Sequence, residues 1–172
     1  MKIKRHTMKT KRASEYLKEE KRKKFENYEE YVKFQKEKTE DPIRREKWLG
    51  EEWDLKLNGF SDLFNSHKDL ISDCKKALCI GARTGQEVVA LRNMDIDAIG
   101  IDLVECPPHV IEGDMHDLPF PDNHFDMVFS NVFDHSLYPT KKAEEIERVL
   151  SKDGVIILQL QAGIDQILER GS

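Results

Sequence analysis

The chain has 172 residues, 38% apolar and 35% charged, with 28 Lys+Arg against 33 Asp+Glu and a net charge of −5. That length suits one domain with an appendage. No apolar run approaches the ~20 residues that span a bilayer, and the basic start MKIKRHTMKTKR has no apolar core, so neither a membrane contact nor a secretory signal is expected. Cys74, Cys79 and Cys106 show no metal-like spacing, so no metal is expected and a reduced, cytoplasmic setting is the default.

Charge divides the chain. Residues 1–58 carry 18 Lys+Arg against 13 Asp+Glu, and residues 59–172 carry 10 against 20. The boundary separates a charged N-terminal helical arm, 1–58, from an acidic main domain, 59–172. An acidic surface repels polyanions, so any nucleic-acid contact would have to use the arm. Residues 1–12 hold six basic residues and no acid, a composition that favours disorder. From Ala13 to about Glu37 the spacing of Phe25, Tyr28 and Val32, and of Tyr31 and Phe34, predicts a helix with one packing face. Asp41-Pro42 is a helix start, with Pro42 at the first position and Gly50 as the stop. Trp48 and Trp53 either dock this segment on the domain or help cover a ligand pocket. Ser61 to Ile71 reads as an amphipathic helix with Leu63, Phe64, Leu70 and Ile71 inward.

The centre of the chain is Lys76 to Asp102. Ala77 to Ile80 is an apolar run of strand length. Gly81-Ala82-Arg83-Thr84-Gly85 is a turn, and Gln86 to Met94 reads as a helix. Ala98 to Ile101 is a second strand ending on Asp102. The acid lies 21 residues after Gly81, near the ~20-residue offset at which β-α-β units hold a ribose hydroxyl. Glycines allow close backbone approach, and a helix N-terminus presents free N–H groups. An adenosine-type ligand is the reading these residues favour.

Further on, Val110-Ile111 is a very short strand. Phe125 to Ser130 is a fourth strand ending at Asn131, and Val132 to Pro139 is a loop. Thr140 to Leu150 is a helix with Thr140 as its cap and Ala143, Ile146, Val149 and Leu150 inward. Asp153-Gly154 is a turn signal, Val155 to Leu160 a fifth strand, and 164–170 a last short helix. Strands alternating with helices predict an α/β, doubly wound, mostly parallel sheet.

The segments ALCIGARTG, IGID, EGDMHDLPFPDNHFDMVFSN and KDGVIIL, in this order over 76–160, resemble a class I S-adenosylmethionine-dependent methyltransferase. The likeness is to the small-molecule-type, type 11-like branch, with its GD-x-x-x-LPF-x-D-x-x-FD-x-V stretch. A dinucleotide fingerprint would need glycines where Arg83 and Gln86 stand. The resemblance implies a Rossmann-like methyltransferase fold and S-adenosyl-L-methionine as cofactor. It makes Gly81 and Gly85 loop glycines, Asp102 the ribose acid, Leu103 the adenine wall and Asp114 the acceptor for the adenine amine. Met115 would donate a backbone N–H, and Asn131 would lie near the transferred methyl. Arg83 would grip the cofactor carboxylate or Asp102, or else pair with Glu87. Asp134 and His135 are candidate bases for an acceptor that must lose a proton.

Cys79 stands where the family has an acid, and Arg83 where it has a third glycine. Only 12 residues follow Leu160, so the family's last two strands are expected to be missing and strand five to form an apolar edge. That edge needs a cover: the 164–170 helix, Leu55-Lys56-Leu57 as a strand, or a second copy in a homodimer through strand five. The function that follows is methyl transfer to an unidentified, small-molecule acceptor. The alternative is a catalytically impaired, cofactor-binding or regulatory module.

Overall fold

The computed structural model describes residues 25–160. The expected disorder of 1–12, the first part of the 13–37 helix and the 164–170 helix lie outside those residues. Four helices precede the sheet: α1 (Tyr28–Glu40), α2 (Pro42–Leu49), α3 (Trp53–Ser66) and the single turn α4 (Lys68–Ile71). Then come β1 (Lys76–Ile80), α5 (Gln86–Arg92), β2 (Asp97–Asp102), β3 (Val110–Glu112) and β4 (Phe125–Ser130). A 3₁₀ turn (Phe133–His135), α6 (Pro139–Val149) and β5 (Leu150–Leu158) follow.

Local chemistry sets the helix ends. Asn27 caps α1, its side chain accepting from Glu30 N at 2.9 Å. Asp41 accepts from Arg44 N at 2.9 Å and Pro42 takes the first position of α2, whose missing N–H costs nothing there. Gly50 closes that helix as expected. The span expected as one helix from Ser61 to Ile71 is longer and broken. It starts at Trp53, stops at Ser66, and resumes for one turn at Lys68. Leu55-Lys56-Leu57 is therefore helical and covers no sheet edge, and the division at residue 58 falls inside α3.

The five strands are parallel in the order β3-β2-β1-β4-β5. This is the doubly wound sheet that the alternation predicts. β1 lies in the middle, and its alternation splits the core. Ala77 and Cys79 join Phe64, Val88, Leu91 and Phe129 on one face. Leu78 and Ile80 join Leu118, Val128, Ile146 and Val149 on the other. Phe64 and Phe60 both meet the Phe129 ring edge-on, at 5.1 and 5.7 Å between centroids. All three cysteines are buried and free of disulfides. Among the described residues no helix is long and apolar enough to cross a membrane, and no cluster of His, Cys, Asp and Glu could hold a metal.

Several local expectations fail for reasons of packing. Leu70 is exposed and only Ile71 of that turn is buried. α6 begins at Pro139 with Tyr138, not Thr140, at its N-cap position, and that side chain makes no capping hydrogen bond. Its inward position is held by Lys142, fully buried, where the pattern pointed to Ala143, which is exposed. Asp153-Gly154 makes no turn between elements. β5 starts at Leu150 opposite Phe125, and the next β4 partner, Met127, faces Val155, so residues 151–154 bulge within the strand. Along β5, Ile156 (46%) and Leu158 (40%) are exposed, and β4 is its one strand neighbour among the described residues.

Candidate functional site

The strand order reverses at β1, because β2 and β3 lie to one side and β4 and β5 to the other. Loops leaving β1 and β4 diverge there, and open parallel sheets take ligands in that crevice. The loop after β1 turns on three residues with positive φ: Gly81 (77°), Arg83 (48°) and Gly85 (88°). A side chain at Gly81 would collide with Val132, so the β1 and β4 loops touch only because that position is glycine. A Cβ at Gly85 would come within 2.5 Å of His109. Gly85 thus lets α5 start against the segment before β3.

Asp102 ends β2 beside this loop. Arg83 N donates to its Oδ2 at 2.9 Å, and the backbone N–H groups of Val104 and Leu103 also support the carboxylate. Burial still wins, and raises the carboxyl above its ordinary value against those N–H groups and the Arg83 charge. The Arg83 guanidinium lies over the Trp48 ring, 4.3 Å from its centroid, instead of pairing with Glu87. Trp48 O in turn accepts from Gln86 Nε2 at 3.0 Å, and Gln86 Oε1 accepts from Thr84 Oγ1 at 2.8 Å. Trp48 therefore docks α2 on the loop, and neither it nor Trp53 lines the cleft. Glu87, buried in the first turn of α5, makes no ion pair among the described residues. Burial pushes its carboxyl up to about 8, with the Arg83 charge opposing and Asp102 adding to the rise.

A cleft open to solvent lies at these strand ends. Gly81, Arg83, Asp102, Leu103, Met115 and His135 line it on the sheet side. Helix α1 supplies the opposite wall with Tyr31, Gln35, Lys38 and Thr39. Tyr31 Oη donates to His135 O at 3.0 Å, and Lys36 Nζ meets Glu112 Oε1 at 2.6 Å, which ties α1 to the ends of β3 and β4. The other four residues named from sequence are not in the lining. Gly85 packs on His109. Asp134 is exposed. Asn131 has its Oδ1 buried with no hydrogen-bond partner among the described residues.

Asp114, the fourth, is already engaged. Tyr28 Oη donates to its Oδ2, while His116 N and Nδ1 lie 2.8 and 2.9 Å from its Oδ1. Burial opposes the charge, but the hydrogen bonds from His116 and Tyr28 outweigh it and hold the carboxyl at about 2. An ionised carboxylate only accepts, so His116 Nδ1 carries the proton. His116 Nε2 then accepts, 2.7 Å from Ser136 Oγ and 3.4 Å from Tyr138 N.

Behind the β4 loop, Lys142 Nζ donates to Ser130 Oγ at 3.0 Å and lies 5.0 Å from the Phe133 ring centroid. Burial lowers its amine to about 8, with the Asp134 charge opposing. Sequence reasoning missed Lys142, His116 and the α1 wall. The one available signal was the pair Tyr28 and Tyr31 on a polar helix, since a buried tyrosine needs a partner for its hydroxyl.

The donors and acceptors present suit S-adenosylmethionine in part. Asp102 offers a half-buried acceptor at the strand end, and Asn131 Oδ1, without a partner among the described residues, is an acceptor that an ammonium or hydroxyl would satisfy. Asp114 fits only if Tyr28 yields its place.

Residues 78–158 match the family model described as methyltransferase domain. No curated protein matches the chain. Among solved structures, the chain is similar to an S-adenosylmethionine-dependent methyltransferase from Archaeoglobus fulgidus (18% identity, TM-score 0.53, covering 59% of this chain and 52% of that one). It is also similar to the YcgJ protein of Bacillus subtilis (23%, TM-score 0.50, covering 59% and 50%). A protein of Pyrococcus horikoshii is a third (20%, TM-score 0.51, covering 62% of each chain). At these identities the likeness shows the fold. The chain spans about half the length of the first structures it matches.

Proposed function

We propose that this chain, whose residues 78–158 match a methyltransferase-domain model and whose fold resembles that of S-adenosylmethionine-dependent methyltransferases, binds S-adenosylmethionine at the ends of β1, β2 and β3 and directs its methyl group to a small-molecule acceptor. One observation carries the reading: the Asp102 carboxylate, half-buried and braced by the loop N–H of Arg83, in the wall of a cleft at the point where the strand order reverses. Bound S-adenosylmethionine supplies a methyl already activated on a sulfonium. The protein has only to orient and desolvate the reactants. Asp102 would accept hydrogen bonds from the ribose hydroxyls, Leu103 would pack against the adenine, Met115 would donate a backbone N–H to it, and Gly81 would let the backbone approach. His135, on the cleft wall, is the candidate to take a proton from the acceptor, ahead of the exposed Asp134.

A second reading, a module that holds the cofactor without turnover, draws on one feature. The family's acid position is Cys79, a fully buried thiol pushed well up by burial, and it offers a bound ammonium no charge. Calorimetry with S-adenosylmethionine and S-adenosylhomocysteine tests what both readings share. Saturable 1:1 binding is expected, and absence of heat with either ligand would remove both. Transfer of a labelled methyl to any small molecule in a metabolite pool would then select the first.

A further inference from the structure

Tyr28 lies outside the cleft lining, yet its side chain is built into the acid assigned to the adenine. Its hydroxyl donates to Asp114 Oδ2 and sits 2.9 Å from His116 Nδ1. Its ring is near-parallel to Tyr138 (centroids 5.5 Å, planes 26°) and to Tyr31 (5.7 Å, 30°). It stands edge-on to His116 at 5.5 Å and 80°. A flat aromatic ring carrying a hydrogen-bond donor thus occupies a slot with aromatic walls and an acceptor at its end. An adenine with its exocyclic amine has the same description: planar, stackable, and a donor toward Asp114.

We propose that Tyr28 is a built-in occupant of the purine end of the ligand site, and that cofactor binding requires helix α1 to surrender the Tyr28–Asp114 hydrogen bond. The proposal rests on the S-adenosylmethionine reading above and adds to it an internal competitor. The slot selects a donor. Asp114 is ionised at neutral pH and can only accept, so a purine presenting a carbonyl there would set oxygen against oxygen. The helix does not depend on Tyr28 alone. Tyr31 and Lys36 anchor α1 through His135 O and Glu112, so Tyr28 can release its bond while the wall of the cleft stays in place.

Tyr28→Phe tests this, since it keeps the ring and its packing and removes only the competing donor. Breaking one hydrogen bond to a carboxylate before binding costs the wild type a factor that the variant is spared. S-adenosylhomocysteine should bind the variant about fivefold or more tighter than the wild type in calorimetry. Equal or weaker binding by the variant overturns the proposal while leaving the cofactor reading intact. If neither protein binds S-adenosylhomocysteine, the cofactor reading fails and the proposal fails with it.

Discussion

The backbone N–H of Arg83 donates to Asp102 Oδ2 at 2.9 Å, joining the loop after β1 to the last residue of β2. The bond depends on Arg83 adopting φ of 48° between two glycines that also have positive φ. Asp102 is therefore held in place before any ligand arrives, which lowers the cost of ordering it on binding.

Asp102→Ala removes that acceptor. Affinity for S-adenosylhomocysteine should fall by about 1–3 kcal/mol, the scale of a hydrogen bond to a buried charge. Unchanged affinity in calorimetry would take Asp102 out of the site.

Glu87 gives a pH signature. Its folded value of about 8 lies above the ordinary 4.5, so the folded state holds a proton that the unfolded chain has released. Its contribution to stability is present below about pH 4.5 and is lost as pH rises through 8. Glu87→Gln imitates the protonated form at every pH. The variant should gain on the wild type between pH 5 and 8, by at most about 5 kcal/mol. Urea melts at the two pH values check it, and a constant difference would mean Glu87 is ionised when buried.

Lys142 has the opposite sign. Its folded value of about 8 is below the ordinary 10.5, so the unfolded chain binds the extra proton. The penalty is full below pH 8 and fades as pH rises toward 10.5. Lys142→Met fills the same space without charge, at the loss of the bond to Ser130. At pH 7 the variant should be more stable by up to roughly 2 kcal/mol, with the gain shrinking by pH 10. A less stable variant at pH 7 would show that the ammonium's bonds outweigh its burial.

The β5 edge is the fourth case. A nine-residue strand with Ile156 and Leu158 exposed invites pairing with a second copy about a twofold axis. Sedimentation at micromolar concentration should show a dimer that dissociates on dilution. A strict monomer with slowly exchanging amides along 155–158 would require another cover.

The chain's periodicities carried much of the fold. Cys79 and Ile80 before Gly81, Gly100 and Ile101 before Asp102, and Phe129 before Ser130 mark strand ends by composition, and all three ends fall where those residues stand. Boundaries that depend on partners were not legible. Leu150 joins β5 because Phe125 sits across from it, and no local signal in Ser151 to Gly154 distinguishes a bulge from a turn. At the site, Gly81, Arg83, Asp102, Leu103, Met115 and His135 were named from sequence and meet at one cleft. Of the α1 wall only Tyr31 was a packing residue of the expected helix, and Lys38 and Thr39 lay past its expected end at Glu37, because nothing local says what a helix will lie against.

Sequence alone determined the alternation of strand and helix, the glycine loop after β1 and the acid ending β2, because each is a property of neighbouring residues along one chain. Only the tertiary structure decided that Trp48 would back Arg83, that Lys142 and not Ala143 would face inward, and that Tyr28 would take Asp114. Those contacts join residues up to 86 positions apart. Their chemistry depends on burial, and burial is settled only when the helices close over the sheet.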